Sequence, residues 1–79
     1  MYTAYVIKST KSGTLYIGQT KNLVSRLNDH NEGRSKYTKN RGPWRIVYSV
    51  DYKTRSEAMS REKYLKTGAG RDFLRSVIK

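Results

Sequence analysis

Residues 14–30, TLYIGQTKNLVSRLNDH, change their period part-way along. Thr14 to Gln19 is rich in β-formers and reads as a strand, with Leu15 and Ile17 on one face and Tyr16 and Gly18 on the other. From about Lys21 to Asn31 the apolar residues Leu23, Val24 and Leu27 recur as on a helix, and Thr20 or Asn22 supplies the N-cap. At roughly 100° per residue, Arg26 and His30 emerge together on one flank of that apolar stripe, bordering the core. A strand end therefore presents a tyrosine beside a glycine, and the next helix presents an arginine and the single histidine. These groups are either edge decoration on a small domain or parts of one site.

On the N-terminal side, Tyr2 to Lys8 (YTAYVIK) is a second strand-like run, with Thr3, Tyr5 and Ile7 on one face and Ala4 and Val6 on the other. The polar run STKSG joins the two strands as a hairpin. On the C-terminal side, Glu32 to Gly42 (EGRSKYTKNRG) reads as a loop carrying Arg34, Lys36, Lys39 and Arg41 around Tyr37. It serves either as a solvated connector or as a mobile phosphate clamp with one stacking ring. Pro43 marks the start of a third strand, Trp44 to Tyr52, in which Ile46, Tyr48 and Val50 alternate with Val47, Ser49 and Asp51. Thr54 to Glu57 (TRSE) is a capping box that opens a helix running to about Thr67, with Gly68 as its stop. Gly70 to Lys79 closes the chain as a short helix. The order ββαβαα predicts an α+β fold, a small three-stranded antiparallel sheet flanked by helices. Its expected core is Leu15, Ile17, Leu23, Leu27, Ile46, Tyr48, Leu65 and Phe73.

Seventy-nine residues predict one domain, residues 1–79, so chemistry and recognition must share a surface. There is no cysteine, which excludes disulfides and thiolate zinc sites, and one histidine cannot build a His-rich metal centre. No run approaches the roughly 20 apolar residues of a membrane span, and the N-terminus lacks a signal-like pattern. The expectation is a cytoplasmic protein without a membrane partner. Seventeen Lys and Arg against six Asp and Glu leave a formal charge of +11, spread along the whole chain. That balance favours a polyanionic partner, nucleic acid above all.

One carboxylate is out of place. Ala58, Glu62 and Leu65 are spaced four and three apart, so Glu62 falls on the helix stripe meant for the core. A buried carboxylate is costly unless paired or metal-bound. Glu62 is therefore either a paired residue at the stripe edge or a ligand to a divalent ion completed by water and phosphate oxygens. Phosphodiester hydrolysis would use such an ion, an arginine such as Arg26 on the phosphate, and a proton acceptor drawn from the tyrosines and His30.

This ordered set resembles the GIY-YIG endonuclease family over nearly the whole chain. Tyr16-Ile17-Gly18 reproduces the second half of the family motif, and Thr3-Ala4-Tyr5 stands where the first half would. LYIGQTKNLVSRLNDHN, GPWRIVY and SREKYLKTGAGRDFL look like the family's small stand-alone proteins. The resemblance implies a hydrolase, a metal-dependent DNA endonuclease using Mg²⁺ or Mn²⁺, acting on branched, nicked or damaged DNA in repair or recombination. It carries Tyr5, Tyr16, Arg26 and His30 over as catalytic residues and Glu62 as the metal ligand. Tyr5 is the general base with Tyr16 in support, or the reverse. Lys21, Arg34, Lys36, Tyr37, Lys39, Arg41 and Arg61 are the expected nucleic-acid contacts; RNA is not excluded, and specificity would come from the charge of +11, DNA shape or a partner protein. Two departures stand out. Thr3 replaces the motif's first glycine, and no Asn follows Asn40, whereas many family nucleases carry one downstream of the metal-binding Glu. The second departure supports the alternative reading, a catalytically weak or inactive nucleic-acid-binding module on the same fold.

Overall fold

The computed structural model describes residues 1–78. Its elements are β1 (Tyr2–Ser9), β2 (Leu15–Thr20), α1 (Leu23–Asn31), β3 (Trp44–Tyr52), α2 (Arg55–Leu65) and α3 (Gly68–Val77). The strands form one antiparallel sheet in the order β2-β1-β3. The α+β class and the ββαβαα order are as expected.

Alternation along the central strand divides the core in two. Tyr5 and Ile7 point to one face, where Trp44, Tyr16, Leu23 and Leu27 pack on them beneath α1. Val6 points to the other, against Leu65 and Leu74, with Ile17, Val47, Tyr48 and Phe73 around it. A strand buried on both faces needs apolar residues at successive positions, and Ala4, Tyr5, Val6 and Ile7 are all at most 1% exposed.

The expected core is corrected at three points. Leu15 and Ile46 are each 37% exposed, because both lie on edge strands. A bulge shifts the β1–β3 register, so that Val6 faces Tyr48 while Ile7 faces Ile46. Ile46 and Tyr48, two apart in sequence, therefore look to opposite faces. His30, expected at the border of the core, is inside it at 1% exposure.

The helix ends follow from side-chain caps. Asn22 accepts from the Ser25 N–H and Thr54 from the Glu57 N–H. Gly68 does not stop the second helix. That helix ends at Leu65, and Thr67 accepts from the Gly70 N–H at 3.1 Å to begin α3 at Gly68. Gly70 allows this tight junction, since a Cβ there would overlap the Tyr64 carbonyl and the Leu65 backbone. Of the expected closing helix, Lys79 lies outside the described residues.

Candidate functional site

The register of the β1–β2 ladder creates the centre of the site. Tyr5 faces Gly18 across it. A Cβ on Gly18 would stand 2.7 Å from the Tyr5 hydroxyl, so the glycine is the space into which that phenol extends. From α1, His30 brings Nε2 to 3.0 Å from the same hydroxyl. Its other nitrogen, Nδ1, is 2.7 Å from Oγ1 of Thr38, which is fully buried. A neutral imidazole has one donor and one acceptor, so His30 donates in one of these bonds and accepts in the other. The Tyr16 ring closes the cluster, with its centroid 4.9 Å from the His30 ring and 6.4 Å from that of Tyr5.

The network is held from behind. The Trp44 indole N–H donates to the Thr38 carbonyl at 3.2 Å. The Asn31 side chain accepts from the Trp44 N–H at 2.6 Å and donates to its carbonyl at 3.1 Å. The segment 32–42 is thus anchored at its middle by Thr38. Thr3 is accommodated in place of glycine by facing Asp51, to which its hydroxyl donates at 2.6 Å.

Charge enters from two helices. The Arg26 guanidinium lies beside the Tyr5 and Tyr16 hydroxyls; burial works against its charge, but the phenols outweigh it and hold its pKa above the ordinary value. Its other neighbour is Asp29, at 3.8 Å. Burial pushes the Tyr5 phenol up to about 12, although Arg26 pulls the other way, and the charge of Glu62 adds to the rise. Burial, and then Arg26, lower the His30 pKa below 6.5, so the imidazole is neutral at neutral pH. Glu62 has a side chain 23% exposed and bonds Lys66 Nζ through Oε2 at 2.8 Å. No group of three His, Cys, Asp or Glu occurs together among the described residues. One part-exposed carboxylate fits hydrated Mg²⁺, which takes few protein ligands, and does not fit a metal needing a full protein cage.

The expected basic contacts divide. Tyr37 stacks on Tyr16 at 5.5 Å, and Arg41 lies over Tyr37 at 5.3 Å, so both join the cluster. Lys21, Lys36 and Lys39 are exposed. Arg34 is engaged by its own acids, 2.8 Å from Asp29 and 3.1 Å from Glu32. Arg61 is turned to packing: it donates to the Tyr48 hydroxyl at 3.0 Å and lies over Phe73 and Tyr64 at 5.0 and 4.9 Å. Two residues escaped the sequence reading. Thr38 carries no signal in a polar loop, whereas Lys66 is legible as the i+4 partner of Glu62.

A family model described as the GIY-YIG catalytic domain matches residues 1–72. The chain belongs to the GIY-YIG family. Among its relatives are the UPF0213 proteins SAV0488 of Staphylococcus aureus strain Mu50 and MW0443 of strain MW2. Each is 40% identical over 74 residues, covering 92% of this chain and 89% of the relative. The solution NMR structure of the UPF0213 protein BH0048 from Bacillus halodurans is similar, with a TM-score of 0.56 and 30% identity. That likeness covers 96% of this chain and 84% of the other. In this GIY-YIG chain the second motif supplies Gly18 as the seat of the Tyr5 hydroxyl. No helix among the described residues is long and apolar enough to cross a membrane.

Proposed function

We propose that this GIY-YIG protein is a divalent-metal-dependent endonuclease that hydrolyses DNA phosphodiester bonds, with a role in repair or recombination, and that residues 1–79 act as a single nuclease domain. The observation that carries the reading is the buried Tyr5–His30 bond next to Arg26. It joins a neutral imidazole to an arginine able to hold a phosphate.

Arg26 binds two non-bridging oxygens of the scissile phosphate. Tyr16, half-buried and nearer the surface than Tyr5, orients the attacking water. Tyr5 does not act as a free phenolate, because its phenol holds its proton up to about pH 12. It acts as a relay: its proton passes to Nε2 of neutral His30 as its oxygen takes the proton of the water. The water oxygen bonds to phosphorus, the bond to the leaving oxygen breaks, and that oxygen takes its proton from solvent. A divalent ion on Glu62, completed by water and phosphate oxygens, would offset the charge that builds on the phosphate.

One observation favours the binding-module alternative: Lys66 donates to Oε2 of Glu62, one of the two oxygens with which that carboxylate could hold a metal. The test is incubation of labelled duplex, single-strand, flap, fork and four-way-junction DNA with the protein and Mg²⁺ or Mn²⁺. Glu62→Gln and a chelator control run alongside. Metal-dependent cutting lost in Glu62→Gln, with DNA binding retained, is the expected result. Binding without cutting on every substrate, or undiminished cutting by Glu62→Gln, overturns it.

A further inference from the structure

The edge strand β2 is flanked by two adjoining hollows that the proposed chemistry does not use. The first, about 380 Å³, opens beside Tyr16 and is lined by Leu15, Ile17, Tyr37, Lys66 and Arg71. The second, about 280 Å³, continues over Leu15 and Arg71 to Lys8, Arg75 and Ile78. Leu15 and Arg71 belong to both, so the hollows make one groove that leads away from the candidate active site. Its walls carry four cationic side chains and no acidic one. Lys66 is bonded to Glu62 and Arg75 to Asp72; Lys8 and Arg71 form no ion pair among the described residues. Its floor is apolar: Leu15 is 37% exposed, and Tyr37 keeps 57% of its surface open although the Arg41 guanidinium lies over its ring.

We propose that this groove binds an unpaired DNA strand running from the cleavage site along β2, with a base stacked on Tyr37 and phosphates on Arg71 and Lys8. The proposal rests on the nuclease reading for its direction, since the groove begins at Tyr16. The chemistry selects the partner. Cations along a track match a phosphate backbone, and an exposed ring with an aliphatic floor matches the faces of unstacked bases. Duplex DNA keeps its bases stacked inside and meets a protein chiefly through phosphates, so it would leave Tyr37 and Leu15 facing water. The substrate class that follows is DNA with a single-stranded arm, such as a flap or frayed end.

The test is fluorescence-anisotropy binding without divalent metal, so that cleavage plays no part. Labelled single-stranded and duplex DNA of one length are titrated with wild type, Tyr37→Ala, Tyr37→Phe and Arg71→Ala. Tyr37→Ala is expected to weaken single-strand binding by about 5- to 150-fold, the value of one stacked base. Tyr37→Phe keeps wild-type affinity, and duplex affinity changes less than twofold in both. Arg71→Ala, an exposed helix position, is expected to weaken single-strand binding and flatten its salt dependence. Equal losses on duplex and single strand, no loss in either alanine variant, or tighter binding of the corresponding RNA overturns the proposal. Because every reading is made without cutting, an inactive protein that still shows the Tyr37 effect defeats the nuclease reading and leaves the strand groove standing.

Discussion

Tyr5 and Gly18 face one another across the β1–β2 ladder, and the phenol of the first fills the volume that a side chain on the second would need. The pair ties a motif glycine to the placement of the Tyr5 hydroxyl. Gly18→Ala would put a methyl group 2.7 Å from that hydroxyl, in a core with no slack. The expected outcome is a loss of about 1–3 kcal/mol from overpacking, together with loss of cutting under conditions where the variant is still folded. Urea unfolding and a cleavage assay below the transition measure the two effects separately. An active, fully stable Gly18→Ala protein would refute the seating of Tyr5.

Thr38 lies fully buried against His30 Nδ1. Thr38→Val keeps the shape but strands the imidazole nitrogen, which is expected to cost about 1–3 kcal/mol. Thr38→Ser is expected to restore most of it. The ¹⁵N shifts of the His30 ring provide a second readout: one tautomer in the wild type and in the serine variant, a mixture in the valine variant. Unaltered shifts in Thr38→Val would remove Thr38 from the network.

His30 makes folding stability sensitive to acid. Its folded pKa lies below 6.5, first from burial and then from Arg26, so the unfolded chain binds the proton more readily. The contribution is complete above the unfolded value and is lost as pH falls from 6.5 toward the folded one. Thermal unfolding should therefore move to lower temperature on acidification through that window, and the slope should flatten in His30→Gln. Equal slopes for the two proteins would contradict a buried neutral imidazole.

Lys66 competes for Glu62. Replacing it by Met removes the 2.8 Å bond and frees Oε2. Mn²⁺ affinity, read by calorimetric titration, should rise by about two- to fivefold, the value of one part-exposed ion pair. Weaker or unchanged Mn²⁺ binding would mean that Lys66 does not compete with a metal for Glu62.

Arg61 stacks over Phe73 and Tyr64 and bonds Tyr48, which joins α2, α3 and β3. Arg61→Ala is expected to lower stability by about 1–2 kcal/mol through lost stacking and a lost hydrogen bond. Cleavage and DNA affinity should stay at wild-type levels where both proteins are folded. A fall in DNA affinity without a fall in Tm would return Arg61 to the binding surface.

How much of this was legible in the sequence follows from what local pattern encodes. The strands, the capping box at Thr54 and the third strand's bounds are readable because turn and cap chemistry is short-range. The grouping of Ile46 with Tyr48 failed because a bulge depends on the partner strand, which periodicity does not see. The spacing sets His30 at the border because helix angle relates it to Leu23, Val24 and Leu27 alone. Thr38 and Trp44, which close over it, come from a loop and strand beyond the helix. Arg26 is on the flank its spacing implies, beside the Tyr5 and Tyr16 hydroxyls. The engagement of Arg34 with Asp29 and Glu32 was likewise hidden, because charge counting treats a cation as free until its neighbours are known.

Tyr5 and His30 are each 1% exposed, whereas Arg26 and Glu62 keep 36% and 23% of their side chains open. The two halves of the site would therefore drift at different speeds in a lineage that stopped cutting DNA. Tyr5 and His30 would persist, because losing either opens a hole in the core. Arg26 and Glu62 would be released, because little of the fold rests on them. In a survey of descendants, retained tyrosine and histidine would mark only a chain that still folds. Retained arginine and glutamate at these two positions would mark one still under selection for the reaction.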